Sequence, residues 1–145
     1  MTLKELKEKY NYIEDIINIL YEKSNIVFSY IFGSYAKGEN RESSDIDIAI
    51  YLKNNQISTD KYLSLLYDIM SISNKKVDLV ILNDSPPLIK HEVYTEGILL
   101  FTKDKETLTN YKVKTLFEYE DMKYYLNMQY KDMINRIREE RANDG

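Results

Sequence analysis

Three aspartates and one Gly-Ser pair are the residues of this chain whose spacing could do chemistry. Gly33-Ser34 closes an apolar run over residues 26–32, and ten residues later Asp45-Ile46-Asp47 opens a second run. A third aspartate, Asp78, stands alone in the apolar segment 77–82. Alternate side chains of a strand share a face. Asp45 and Asp47 therefore point one way, and Ile46, Ile48 and Ile50 point the other, into a core. Two carboxylates held this close repel each other. A divalent cation between them turns that repulsion into a binding site, and magnesium takes its remaining oxygen ligands from phosphates and water.

Two metal ions about 3.5–4 Å apart can clamp the attacking and leaving oxygens of a phosphoryl transfer. That clamp calls for a third acidic group. Asp78 is the residue to supply it, since an unpaired charge in an apolar strand is otherwise expensive. Gly33 lets the backbone approach a ligand closely. A helical turn starting at Ser34 would aim free N–H groups at a phosphate, and the serine hydroxyl adds a donor. Lys37 and Arg41 are the cations within reach of the outer phosphates.

Competing motifs fail on their details. Gly33 and Gly38 have the glycine spacing of a P-loop, but Glu39-Asn40 stands where Lys and Ser or Thr belong. A dinucleotide fingerprint needs three glycines and finds two. A calcium loop starting at Asp45 lacks its glycine and its terminal glutamate. Alone, Asp-x-Asp is a solvated strand end and Gly-Ser is a turn; the combination with Asp78 carries the reading. His91, the single histidine, reads as a helix-surface residue.

The elements that must position these groups follow from periodicity. Residues 3–22 carry Leu3, Leu6, Tyr10, Ile13, Ile17 and Leu20 at helical spacing and read as one amphipathic helix. Segments 26–32, 45–52, 77–82 and 98–102 read as strands. Residues 33–44 read as a polar loop with room for one helical turn. A helix capped by Ser58 or Thr59 would present Leu63, Leu66, Tyr67 and Met70 as its apolar face. Ser85-Pro86-Pro87 suggests an N-cap and a first-turn proline for a helix running to Glu96, with Gly97 as its stop. Residues 105–141 contain neither Gly nor Pro and read as a long helix that overhangs the sheet, breaks once, or packs on another subunit.

The expected fold is therefore α+β, a small mixed sheet flanked by helices with a long C-terminal helix. One domain spans 1–145, with a core at 26–102 and a helical extension at 104–141. A chain of 145 residues suits one such core. The absence of cysteine excludes disulfides and thiolate metal sites, and one histidine excludes a His-rich zinc site. A net charge of -4 argues against a broad nucleic-acid face. No apolar stretch is long enough to span a bilayer, and the N-terminus lacks a signal peptide's apolar core. A cytoplasmic protein with no membrane partner is the expectation. Fourteen tyrosines suit a partner interface.

The Gly33-Ser34, Asp45-x-Asp47 and Asp78 set resembles the nucleotidyltransferase superfamily that includes DNA polymerase beta. More narrowly, "FGSYAKGENRESSDIDIAIYL", "VDLVIL" and "PPLIKHEVYTEGILLF" resemble, in order, the minimal nucleotidyltransferase (MNT) antitoxins of HEPN/MNT toxin–antitoxin pairs. The resemblance covers roughly residues 26–102. It implies a polymerase beta-like nucleotidyltransferase fold and magnesium-dependent transfer of AMP from ATP to a tyrosine of a cognate HEPN ribonuclease toxin, which silences the toxin. Asp45 and Asp47 would bind both metals; Asp78 would bind one and help activate the tyrosine hydroxyl. Gly33, Ser34, Lys37 and Arg41 would hold the nucleotide. A hetero-oligomer with the toxin is the assembly this implies. Two alternatives remain open at this point: an antitoxin that only masks its toxin by contact, and a transferase acting on a small molecule such as an aminoglycoside.

Overall fold

The computed structural model describes residues 1–144. Helices α1 (Leu3–Lys9) and α2 (Tyr12–Tyr21) precede strand β1 (Ile26–Phe32). The short helix α3 (Gly33–Lys37) leads to β2 (Ile46–Leu52), followed by α4 (Thr59–Ser73) and β3 (Val77–Ile81). A 3-10 turn (Leu82–Asp84), α5 (Pro87–Glu96), β4 (Ile98–Thr102) and α6 (Lys105–Asp144) complete the chain.

The four strands form one mixed sheet in the order β3-β2-β1-β4. β1 is antiparallel to both β2 and β4, while β2 and β3 are parallel and joined through α4. Both faces of the sheet are covered, which explains why the strands lack polar alternation. On one face Ile46, Ile48, Ile50 and Leu52 pack with Leu6, Ile13, Ile16 and Leu20 of α1–α2 and Leu65 and Ile69 of α4. On the other, Phe28, Tyr30 and Ala49 meet Val93 of α5 and Leu108 and Tyr111 of α6. Each fully buried aliphatic side chain contributes about 1.5–3 kcal/mol of transfer free energy.

Several local expectations are corrected. The helix expected over 3–22 breaks at Tyr10, whose backbone is extended. Its ring sits edge-on to Tyr35, and its hydroxyl accepts a 2.6 Å hydrogen bond from the Asn40 side-chain amide. In α4 the buried stripe is Leu65, Ile69 and Ser73, whereas Leu63, Tyr67 and Met70 face solvent. Both stripes have helical spacing; the inner one, Leu65 and Ile69, packs in the sheet core, and beside it Tyr62 donates its hydroxyl to the Leu79 carbonyl of β3 at 2.7 Å. Pro86, not Ser85, is the cap of α5; the Ser85 hydroxyl instead donates to the Ile81 carbonyl at 2.7 Å. Asp45 lies just outside β2, and β3 ends at Ile81. The C-terminal helix is one unbroken element of 40 residues, capped by Asp104, whose carboxylate accepts from the Glu106 and Thr107 amides.

Candidate active site

The first strand ends where the chemistry-bearing turn begins. Phe32 pairs with Asp47 across the antiparallel β1–β2 ladder, so the next residue, Gly33, lies directly against that aspartate. Gly33 has φ +67°, a left-handed conformation that side chains rarely tolerate. A Cβ placed there would sit 2.1 Å from Asp47 Oδ2 and 3.1 Å from its Cγ. Conformation and space both demand glycine. Ser34 follows as the second residue of α3 and is partly buried.

Asp47 also faces Asp78 from the other side. The parallel β2–β3 ladder puts the two in register, so their side chains leave the same face of the sheet on neighbouring strands, about 4.8 Å apart. That face is the one covered by α5 and α6, and both aspartates lie at the open ends of their strands, before the apolar Ala49 and Val80. Asp78 is exposed and Asp47 is partly buried. The Asp47 carboxyl is pushed up to about 6, first by burial and then by the negative charges of Asp78, Asp45 and Glu92. Burial and these neighbours make ionisation of Asp47 costly, and a cation beside it would offset that cost.

Glu92 was not visible from the sequence as a member of this neighbourhood. α5 brings it toward Asp47 from across the chain, and only its place in a helix, not its spacing from the aspartates, could have flagged it. Asp45 is exposed just before β2, after a turn in which the Arg41 amide donates to the Ser44 hydroxyl at 2.7 Å. Among the described residues, no three acidic or histidine side chains converge into a ready-made metal cage. The donor chemistry is nonetheless that of a hard cation, carboxylate oxygens without thiolate or imidazole.

The two cations expected at the phosphates are placed differently. Lys37 sits at the end of α3 and pairs with Glu96 of α5 at 3.4 Å. Arg41 lines a groove of about 320 Å³ with Tyr10, Tyr12, Tyr35 and Lys75, on the α1–α2 side of the sheet. Tyr12 and Tyr35 share a hydroxyl–hydroxyl bond of 3.0 Å there. A second groove, of about 530 Å³, lies between Asn25 and α4, beside Ile26 and Leu52, at the strand ends opposite Asp47.

The sequence pattern of the family "Polymerase beta, Nucleotidyltransferase" matches residues 14–106. A chain of Methanocaldococcus jannaschii, named as a candidate protein adenylyltransferase, is 34% identical over 98 residues, covering 68% of this chain and 97% of the relative. The protein adenylyltransferase MntA of Shewanella oneidensis is 31% identical over 94 residues, covering 64% of this chain and 66% of that one. Among solved structures, the complex of a tri-AMPylated Shewanella oneidensis HEPN toxin with its MNT antitoxin contains a chain that superposes with a TM-score of 0.69 at 23% identity. That superposition covers 86% of this chain and 97% of the other, so the fold expected from the sequence is the fold present.

Proposed function

Because the chain belongs to the polymerase beta nucleotidyltransferase family, we propose that it is an antitoxin which transfers AMP from ATP to a tyrosine of a cognate HEPN ribonuclease toxin. The observation that carries the chemistry is the in-register pair Asp47 and Asp78, with Gly33 packed on Asp47. The acceptor is supported by the relatives, one named for protein adenylyltransfer and one solved with an AMPylated HEPN toxin. Among the described residues no helix is long and apolar enough to cross a membrane; a cytoplasmic site of action accompanies this reading.

In the reaction the tyrosine oxygen attacks the α-phosphorus of ATP. A new O–P bond forms, the α–β phosphoanhydride bond breaks, and pyrophosphate leaves. Asp45, Asp47 and Asp78 are the residues that would hold magnesium. When bound, magnesium supplies charge neutralisation for the phosphates and for the oxygen that departs. Gly33 removes the side chain that would fill the space beside Asp47. Ser34 offers its hydroxyl and the amides of the α3 turn to the phosphates. Asp78, exposed at the edge of the sheet, is the group placed to accept the tyrosine proton as the acceptor approaches from solvent. Lys37 reaches the outer phosphates by leaving Glu96, and Arg41 lends positive potential from the adjoining loop.

Co-expression with the HEPN protein tests the whole reading. The expected result is toxin whose intact mass is raised by one or more AMP units on tyrosine, and unmodified toxin when Asp45 and Asp47 are both Asn. Toxin that is unmodified yet fully inhibited by the wild-type chain would replace transfer by masking.

A further inference from the structure

A helix of 40 residues outruns a four-stranded sheet, and α6 is held only at its start. Leu108, Tyr111 and Thr115 are buried against the sheet and α5. Tyr119 stacks on His91 with ring centroids 3.6 Å apart, and Glu118 pairs with Lys90 at 2.9 Å. Between residues 123 and 143 every residue except Ile134 is exposed. The inner stripe nevertheless continues at spacings of three and four through Leu126, Tyr130, Met133 and Ile137, which are 53%, 59%, 50% and 44% exposed. Single exposed apolar residues need no explanation; a stripe over three turns of an unsupported helix marks a contact surface.

We propose that this stripe is the docking site for the protein acceptor, which meets it with an apolar helix face bordered by carboxylates. The proposal rests on the reading that the acceptor is a protein. Two observations select this occupant. The first is position. Asp47 and Asp78 leave the sheet on the face that α5 and α6 cover, so a tyrosine presented to them comes from a body seated on the α6 side. The stripe also lies beyond residue 106, where the family pattern ends, and so outside the shared catalytic domain.

The second observation is charge. On a wheel of about 100° per residue, Lys123, Arg136 and Arg141 fall within about 90° of the stripe's centre, against two acidic positions there, Glu140 and Asp144. Asp121, Asp132 and Glu139 fall on the far side with Lys131 and Arg138, so the stripe's own border is the more basic of the two faces. A second copy of this chain would set one basic border against another. A partner whose apolar face is edged by Asp and Glu meets opposite charge, which favours encounter and correct register.

The test uses the full-length chain and the HEPN protein co-expressed with it. Leu126→Asp combined with Met133→Asp should weaken HEPN binding by roughly tenfold or more, measured by calorimetry. Met128→Asp, 48% exposed on the opposite side of the helix, should leave binding within about twofold. Lys123→Glu with Arg141→Glu should weaken binding and flatten its salt dependence. ATP binding should be unchanged in all of these, which shows that the catalytic domain is folded. Binding by the front-face double variant equal to wild type would overturn the proposal. So would an equal loss from Met128→Asp, or a front-face effect confined to self-association of this chain. If wild type binds the HEPN protein through this stripe but leaves its tyrosines unmodified, the docking site stands and the catalytic reading falls.

Discussion

Gly33 and Asp47 occupy space that cannot be shared: one added carbon on the glycine would stand 2.1 Å from the aspartate's Oδ2. The relationship ties the end of β1 to the start of β2 and explains why glycine precedes Ser34. Any side chain at position 33 must displace the Asp47 carboxylate from its place beside the turn, and the left-handed φ adds its own strain.

Gly33→Ala should therefore destabilise the fold by about 1–3 kcal/mol and abolish AMP transfer. A thermal melt and a transfer assay measure the two effects. Asp47→Ala in the Gly33→Ala background should recover part of the stability, because the contact is gone, and none of the activity. Full activity in Gly33→Ala would mean that the turn does not shape the site.

The raised pKa of Asp47 gives a pH-dependent prediction with a definite sign. Its folded pKa, about 6, lies above the ordinary aspartate value, so the folded state holds the proton more tightly than the unfolded state. The penalty is absent when both states are protonated. It grows as pH rises through the window between about 4 and 6 and is complete above it. A two-unit shift corresponds to about 3 kcal/mol, which solvent screening of a partly exposed carboxylate reduces to roughly 1–1.5 kcal/mol. Asp47→Asn, measured without metal, should match wild type near pH 3.5 and melt higher at pH 7. A gap that narrows as pH rises would refute the assignment.

Asp78→Asn should keep the fold and most ATP affinity while losing transfer. Asp78 is exposed at an edge strand, so neutralising it leaves no cavity and no buried orphan. Calorimetry with ATP and magnesium, beside intact-mass analysis of the HEPN protein, separates the two effects. Loss of ATP binding equal to the loss of transfer would make Asp78 a nucleotide-site residue alone.

Much of this arrangement was legible in the sequence, and the remainder was hidden for physical reasons. Gly33, Asp47 and Asp78 are legible because strand periodicity and turn chemistry are local, and the strand expected over 98–102 has the bounds found. In sequence the outer face of α4 reads as the inner one because Leu63, Tyr67 and Met70 repeat as regularly as Leu65 and Ile69; the packing of Leu65 and Ile69 on the sheet core and the bond from Tyr62 to Leu79 set the face in the fold. Tyr10, where the first helix breaks, is bonded to Asn40, thirty residues away, a contact that no local pattern encodes. Glu92 and Glu96 join the site through the packing of α5, which no spacing in the sequence encodes.

The pairing of Lys37 with Glu96 leads to the last prediction. The two meet at 3.4 Å with side chains 43% and 53% exposed. An ion pair this open is worth only about 0.2–1 kcal/mol, weak enough for a polyphosphate to displace. If Lys37 serves the outer phosphates, ATP must compete with Glu96 for its ammonium group. Glu96→Gln should then tighten ATP binding by up to about fivefold, the equivalent of that pair energy. Lys37→Met should weaken binding and make the Glu96→Gln change silent, since nothing remains to be released. Calorimetry on the two single variants and the double closes the cycle. A Glu96→Gln gain that survives in the Lys37→Met background would show that the glutamate acts by general repulsion of the nucleotide, and Lys37 would lose its place at the phosphates.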